Sequence, residues 1–243
     1  KLSRTLKNYK NKLSINYWLR KFFVSSFFQS LPIKSQKLRK IVFTSIYKSN
    51  HWVQGDKGLD SSKISVSGHV SNIDTEQFFS LKKNILRFIQ DYKIKTLLDM
   101  PCGDFLWMNE LLKNKEIDYL GVDIVDELIN ENLIKYGNVN INFLSGDVVN
   151  FYTKKEFDLV FIRDLFIHID NSSIIKIIEN IKKMNIKYLG FTNYNNKINN
   201  NVIIGKHRKI NMLIEPFNLQ EPMFKFQDYE KDKFMFFYKI KDL

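Results

Sequence analysis

TLLDMPCGDFLWM, residues 96–108, is the stretch on which the fold turns. It opens as a short apolar run closed by an acid, passes through a Pro/Gly turn, and resumes at helical spacing. A run of that length reads as a buried strand. The turn behind it lets backbone approach a ligand just ahead of a helix N-terminus. Further short apolar runs follow at residues 119–123, 140–144, 157–162 and 188–192, with helical stretches at about 105–113, 126–136 and 172–184 between them. That alternation predicts an α/β fold with a parallel sheet. Two last runs, 225–228 and 234–240, are separated by too few residues for a crossover helix, so they must pair antiparallel.

Ligands of parallel sheets bind beyond the carboxyl ends of the strands, so the residues after each run are the candidates for chemistry. After the first run these are Asp99, Pro101 and Gly103, with Trp107 one helical turn further. After the second come Asp123 and Ile124. Asp123 lies 24 residues past Asp99, a spacing at which an acid suits the two hydroxyls of a ribose. After the third come Asp147, an acceptor for an adenine amino group, and Val148, which would pack on the ring. After the fourth come Arg163, Asp164 and His168. Asp164 and His168 are four apart, which places both on one face of a helix. A carboxylate in that position would orient the imidazole and raise its basicity, so the two are the candidate catalytic pair.

The turn after the first strand has one glycine, Gly103, among acids, where a dinucleotide phosphate would want several glycines and would be repelled. A nucleoside carrying an ammonium and a sulfonium would instead be attracted. That is the charge pattern of S-adenosylmethionine, with S-adenosylhomocysteine as its product.

Outside this core the composition sets bounds. The 243 residues suit one catalytic-sized domain with appendages, and 44% apolar with 26% charged residues exclude disordered, collagenous and disulfide-scaffold classes. One cysteine, Cys102, cannot form an internal disulfide, so a cytoplasmic location is expected. His51, His69, His168 and His207 are scattered and no C-x-x-C occurs, so no metal site is expected.

The net charge of +12 belongs to residues 1–55, which precede the first acid, Asp56; the remainder is balanced. Residues 15–31, INYWLRKFFVSSFFQSL, are dense in Trp18, Phe22, Phe23, Phe27 and Phe28, yet Arg20, Lys21 and polar residues interrupt them, so they make neither a bilayer span nor a signal peptide. Two readings stand. One is a helix packing its aromatic face on the domain or on a second copy of the chain in a homo-oligomer. The other is an interfacial helix within residues 1–31 on an anionic membrane surface, at its inner face. Nucleic acid is the weaker candidate partner for this basic arm.

The chain therefore divides into a basic, aromatic-rich helical extension (1–49, with an amphipathic helix at 36–48), a long Gly-bearing loop expected to be functional (50–73), and the α/β domain (74–243). An Asp74/Gln77 capping box starts that domain's first helix, which runs to about residue 92. The Asn-rich stretch 193–201 reads as a mobile cover or plain surface.

At these residues the chain resembles the class I S-adenosylmethionine-dependent methyltransferases, from about residue 75 onward. More narrowly, it resembles a bacterial and viral family sharing an L-D-x-P-C-G-D-x-x-W-M turn, here residues 98–108, and R-D-x-x-x-H, here Arg163, Asp164 and His168. Its upstream W-x-x-G-[DE]...S-x-S-G loop is matched by Trp52, Gly55, Asp56, Ser65, Ser67 and Gly68. Its later W-R-x-x-N-L...P-F-N-L-P stretch is matched by Arg208, Asn211, Pro216, Phe217, Asn218 and Leu219, with His207 in place of Trp and Gln220 in place of Pro. The resemblance implies a Rossmann-like seven-stranded methyltransferase sheet with a C-terminal antiparallel hairpin, and an acceptor pocket holding Trp52, Ser67, Arg208, Phe217 and Asn218. It also implies O-methylation of a sugar hydroxyl in glycan biosynthesis, so the expected acceptor is a small molecule or glycan. A nucleic-acid methyltransferase using the basic arm, and a non-catalytic scaffold of this fold, are the alternatives.

Overall fold

Seven short strands form one sheet in the computed structural model, which describes residues 35–53, 60–228 and 230–243. The expectations for residues 1–31, and those for Gly55 and Asp56, lie outside the described residues. The strands are β1 (Thr96–Asp99), β2 (Asp118–Asp123), β3 (Ile141–Ser145), β4 (Phe157–Ile162), β5 (Ile186–Tyr194), β6 (Phe224–Gln227) and β7 (Lys233–Lys239). Their order is β3-β2-β1-β4-β5-β7-β6. The first five are parallel neighbours, and β7 inserts antiparallel between β5 and β6. This is the Rossmann-like methyltransferase sheet with its C-terminal hairpin.

The central strands are apolar on both faces because helices cover both sides. On one face α5 (Asn171–Lys182) buries Ile174, Ile177, Ile178 and Ile181, an i, i+3, i+4, i+7 stripe, against the sheet. On the other, α2 (Glu76–Asp91) buries Phe78, Leu81, Ile85, Phe88 and Ile89 alongside α3 (Leu106–Leu112). Helix α4 (Asp126–Tyr136) follows β2, and α1 (Gln36–Lys48) precedes the whole domain.

Two local expectations differ. The N-cap of α2 is Thr75, whose hydroxyl accepts the Phe78 N–H at 3.1 Å. Asp74 instead takes a left-handed φ of 63° and pairs with Lys63, so no Asp74 capping box forms. The Asn-rich stretch is not plain surface either. β5 runs two residues further than the apolar run suggests and takes in Asn193, 1% exposed, whose Oδ1 accepts the Met212 N–H at 2.7 Å. Asn199 Nδ2 then donates to the carbonyls of Asn211 and Glu215, which ties the stretch to the later loop.

Candidate active site

A cleft open to solvent lies at the carboxyl ends of β1 to β4, where ligands of parallel sheets bind. Its floor is the turn after β1. Gly103 has φ 55°, and a Cβ there would collide with Ser67 Oγ, so glycine is required for the close approach. Asn132 Nδ2 on α4 donates to the Gly103 carbonyl at 2.8 Å, and the Gly103 N–H donates to Asp123 Oδ2 at 3.2 Å. Asp104 clamps the upstream loop onto this turn by accepting from Ser65 Oγ at 3.1 Å and the Val66 N–H at 2.8 Å. Two stretches the sequence keeps apart, 65–67 and 101–104, are thus one wall. The acidity of Asp104 was visible in the sequence; its partner was not.

Asp123 lies where the β2 reading put it. Its Oδ1 accepts the Val125 N–H at 3.1 Å, and burial pushes its carboxyl up to about 6. These backbone bonds hold the carboxylate in place at the edge of the cleft, where a ribose hydroxyl can reach it. Pro101, Gly103, Trp107, Ile124, Val148 and Arg163 also line the cleft. Asp99 does not. It is 1% exposed, accepts from the Tyr119 hydroxyl at 2.8 Å, and is pushed up to about 8 by burial.

Asp147 lines the cleft, but its carboxylate is already clasped. Arg39 of α1, 2% exposed, donates from Nε to Oδ1 at 3.0 Å and pairs its terminal nitrogen with Oδ2, and Asn150 Nδ2 adds a bond of 2.6 Å. The expected adenine amino contact would have to displace Arg39 from this carboxylate.

The Asp164–His168 pair does not form. Asp164 takes a left-handed φ of 57°, which breaks any helix starting there, and only residues 166–168 make a 3-10 turn. Asp164 Oδ2 instead bonds Lys233 Nζ at 2.9 Å. Burial alone would raise the Asp164 carboxyl, but Lys233 and Arg163 outweigh it and hold it well below the usual carboxylate range. It is a fixed anion and no base at neutral pH. His168 Nδ1 lies 3.0 Å from the Lys206 carbonyl, so Nδ1 bears the proton and Nε2 the lone pair. Burial lowers its pKa to about 4, and its ring stacks on Trp52 at 4.8 Å.

Trp52 and Ser67 line the cleft; Arg208, Phe217 and Asn218 do not. Arg208 is used internally, donating to Asn171 Oδ1 at 2.6 Å and the Ile169 carbonyl at 2.8 Å. Phe217 packs on the core, and Asn218 sits in a turn at φ 49°. Phe43 and Tyr47 of α1 line the cleft without having been singled out in the sequence. Among the described residues no group of three or more His, Cys, Asp or Glu could hold a metal ion.

With this geometry in place, residues 97–185 match the family described as a methyltransferase domain. Among solved structures, the fold is similar to the N-methyltransferase NodS from Bradyrhizobium japonicum in complex with S-adenosyl-L-homocysteine, at 14% identity and TM-score 0.55, covering 80% of this chain and 97% of that one. It is also similar to an S-adenosylmethionine-dependent methyltransferase from Clostridium acetobutylicum, at 13% identity and TM-score 0.51, covering 68% of this chain and 92% of that one. At these identities the likeness is one of fold. A search of curated protein sequences finds no match.

Sheet and cleft are those of the S-adenosylmethionine-dependent methyltransferase fold, and the domain match over residues 97–185 supports the same class. The residues present suit that cofactor: a one-glycine turn flanked by Asp104 and Asp123 favours a cationic nucleoside over a phosphate. No helix among the described residues is long and apolar enough to cross a membrane.

Proposed function

We propose that the protein transfers the methyl group of S-adenosylmethionine to a hydroxyl, and that this hydroxyl belongs to a sugar of a glycan under synthesis. The observation that carries the reading is His168, held on the cleft wall by the Lys206 carbonyl and stacked on Trp52. When bound, the cofactor supplies an electrophilic methyl group on a sulfonium; the chain must orient an acceptor and remove its proton. His168 is unprotonated at neutral pH because burial holds it near 4, so Nε2 is ready to accept. Its low basicity suffices, because a hydroxyl oxygen becomes strongly acidic as it gains the methyl group, and the proton moves late. Trp52, beside it, offers an aromatic surface of the kind that takes the C–H face of a sugar ring. Phe43, 6.3 Å from Trp52, extends that surface. The resemblance to a family associated with glycan methylation points the same way. Holding acceptor and methyl in line supplies much of the rate.

Mass spectrometry of ligand released from the purified protein should find S-adenosylmethionine or S-adenosylhomocysteine, and turnover should appear with nucleotide sugars or glycan fragments. His168→Ala should lower kcat by about 100- to 10,000-fold with cofactor affinity within about twofold. Product methylated on nitrogen, or undiminished turnover in that variant, would overturn the hydroxyl reading.

A further inference from the structure

Beyond β4 lies a buried charge cluster that the expected catalytic pair does not explain. Lys233 opens β7 and is 1% exposed, with Nζ 2.9 Å from Asp164 Oδ2 and 3.3 Å from Asp228 Oδ2. Arg163 lies 4.0 Å from Asp164 and 3.8 Å from Asp228, and its guanidinium sits 5.0 Å over the Trp107 ring. A buried ammonium costs several kcal/mol unless it is paired, so two carboxylates on one lysine point to a defined task. The Asp164 N–H donates to Thr192 Oγ1 at 3.0 Å, which fixes the left-handed residue. Non-glycine residues held there cluster at ligand clamps. Asp164 Oδ1 is buried without a hydrogen-bond partner, and Asp164 and Arg163 both line the cleft.

The sheet order says which part of a ligand reaches them. β3, β2, β1 and β4 are consecutive neighbours, so their ends span about 14 Å at about 4.8 Å per strand. Asp123 closes β2, and Asp164 follows β4 on the far side of β1. A nucleoside held at Asp123 therefore extends its other end toward Arg163 and Asp164. The amino-acid end of S-adenosylmethionine is a zwitterion, and these adjacent residues offer one charge of each sign.

We propose that Asp164 receives the ammonium of the cofactor's methionine portion, and that Lys233 is the positioning residue that holds Asp164 for it. The inference rests on the S-adenosylmethionine reading and goes beyond it. It also assigns Asp164 a binding role where the sequence suggested a base. The groups facing Asp164 are Lys233 on β7, Arg163 at the end of β4, Asp228 after β6, Tyr194 on β5 and His168 on the 3-10 turn. Lys233 and Arg163 are the side chains among them that hold Asp164 as an anion, so removing Lys233 lets Asp164 take a proton at higher pH.

The test compares S-adenosylhomocysteine with methylthioadenosine, which keeps the nucleoside and lacks the amino-acid end. Calorimetry on the full chain should show Asp164→Asn weakening S-adenosylhomocysteine about 10- to 100-fold while methylthioadenosine changes by less than about twofold. Lys233→Met should weaken S-adenosylhomocysteine in the same direction and make the ratio of its affinity to that of methylthioadenosine, which shares the ribose held at Asp123, fall on acidification between about pH 7 and 5, whereas Lys233→Arg should keep that ratio flat. Should Lys233→Met fail to fold, Asp164→Asn decides alone. Equal weakening of both ligands, or of neither, overturns the proposal. If neither ligand binds the unmodified protein, the cofactor reading itself falls and this one with it.

Discussion

Burial favours the neutral form of both Asp123 and His168, so it moves their pKa values in opposite directions, and they make opposite demands on pH. Asp123 is pushed up to about 6, so the folded chain holds more protons than the unfolded one between its ordinary value of 3.8 and about 6. Its contribution to stability is therefore present at low pH and lost as pH rises through that window. Ribose binding needs the ionised form, so S-adenosylhomocysteine affinity should fall as pH drops through about 6, where the carboxyl becomes neutral. Asp123→Asn should weaken binding at neutral pH by about 1 to 3 kcal/mol and flatten that profile. Calorimetry across the range checks both, and an unchanged affinity in the variant removes Asp123 from the site. His168 behaves in reverse. Its folded value of about 4 lies below its ordinary 6.5, so the unfolded chain binds the extra proton and stability is lost as pH falls between the two.

At the scale of elements, helix α1 is the part of the site that the sequence does not reveal. Arg39 clasps Asp147, Lys40 pairs with Asp126 at 2.6 Å, Lys48 pairs with Glu127, and the Tyr47 hydroxyl donates to Glu131 at 2.8 Å. On its other side Gly205, at φ 81°, admits Val42 and Ile46 so closely that a Cβ would sit 2.8 Å from each. Replacing Arg39 by Met leaves Asp147 buried without its strongest partner. The variant should lose about 3 to 5 kcal/mol of stability, and adding Asp147→Asn should recover part of it. Because α1 contributes Phe43 and Tyr47 to the cleft wall, Arg39→Met should also release S-adenosylhomocysteine faster in stopped-flow measurements. A variant with unchanged melting temperature and release rate would show the clasp to be idle. What could be read in advance follows from range. Runs such as 157–162 and the acids after them obey local rules of periodicity and strand-end placement, so the sheet and Asp123 were legible. Arg39 and Asp147 are 108 residues apart, and Arg39 sits in a basic stretch where no neighbour marks it out. The Asp164–His168 spacing misled for a different reason: i, i+4 places two side chains on one face only where the backbone is helical, and Asp164 is left-handed. Arg208, Phe217 and Asn218 rested on resemblance alone, with no chemistry of their own in the sequence to require a cleft.

For the whole molecule, the uneven charge is the feature that neither sheet nor cleft accounts for. Residues 1–31 carry +7 from Lys1, Arg4, Lys7, Lys10, Lys12, Arg20 and Lys21, interleaved with Trp18 and four phenylalanines, and everything after residue 55 is neutral in sum. We propose that this arm lies on an anionic membrane surface, where each cation adds about 1 kcal/mol and the aromatic rings seat at the headgroup level. A lipid-linked glycan acceptor would then be presented to the cleft by the same surface. A cut after residue 31 falls ahead of Ser35, which caps α1 by accepting the Leu38 N–H, so the cover of the cleft survives it. The shortened chain should keep its S-adenosylhomocysteine affinity within about twofold, while co-sedimentation with phosphatidylserine vesicles is lost. The full chain should bind those vesicles at low salt and less at high salt, since charges beyond about 8 Å are screened at physiological ionic strength. The opposite pattern identifies an arm that packs on the domain or on a second copy: negligible vesicle binding by both chains, with a lower melting temperature or a split oligomer after truncation. A thermal melt and a sizing run beside the vesicle assay separate the two, because a surface-seeking arm leaves both unchanged and a packing arm changes at least one.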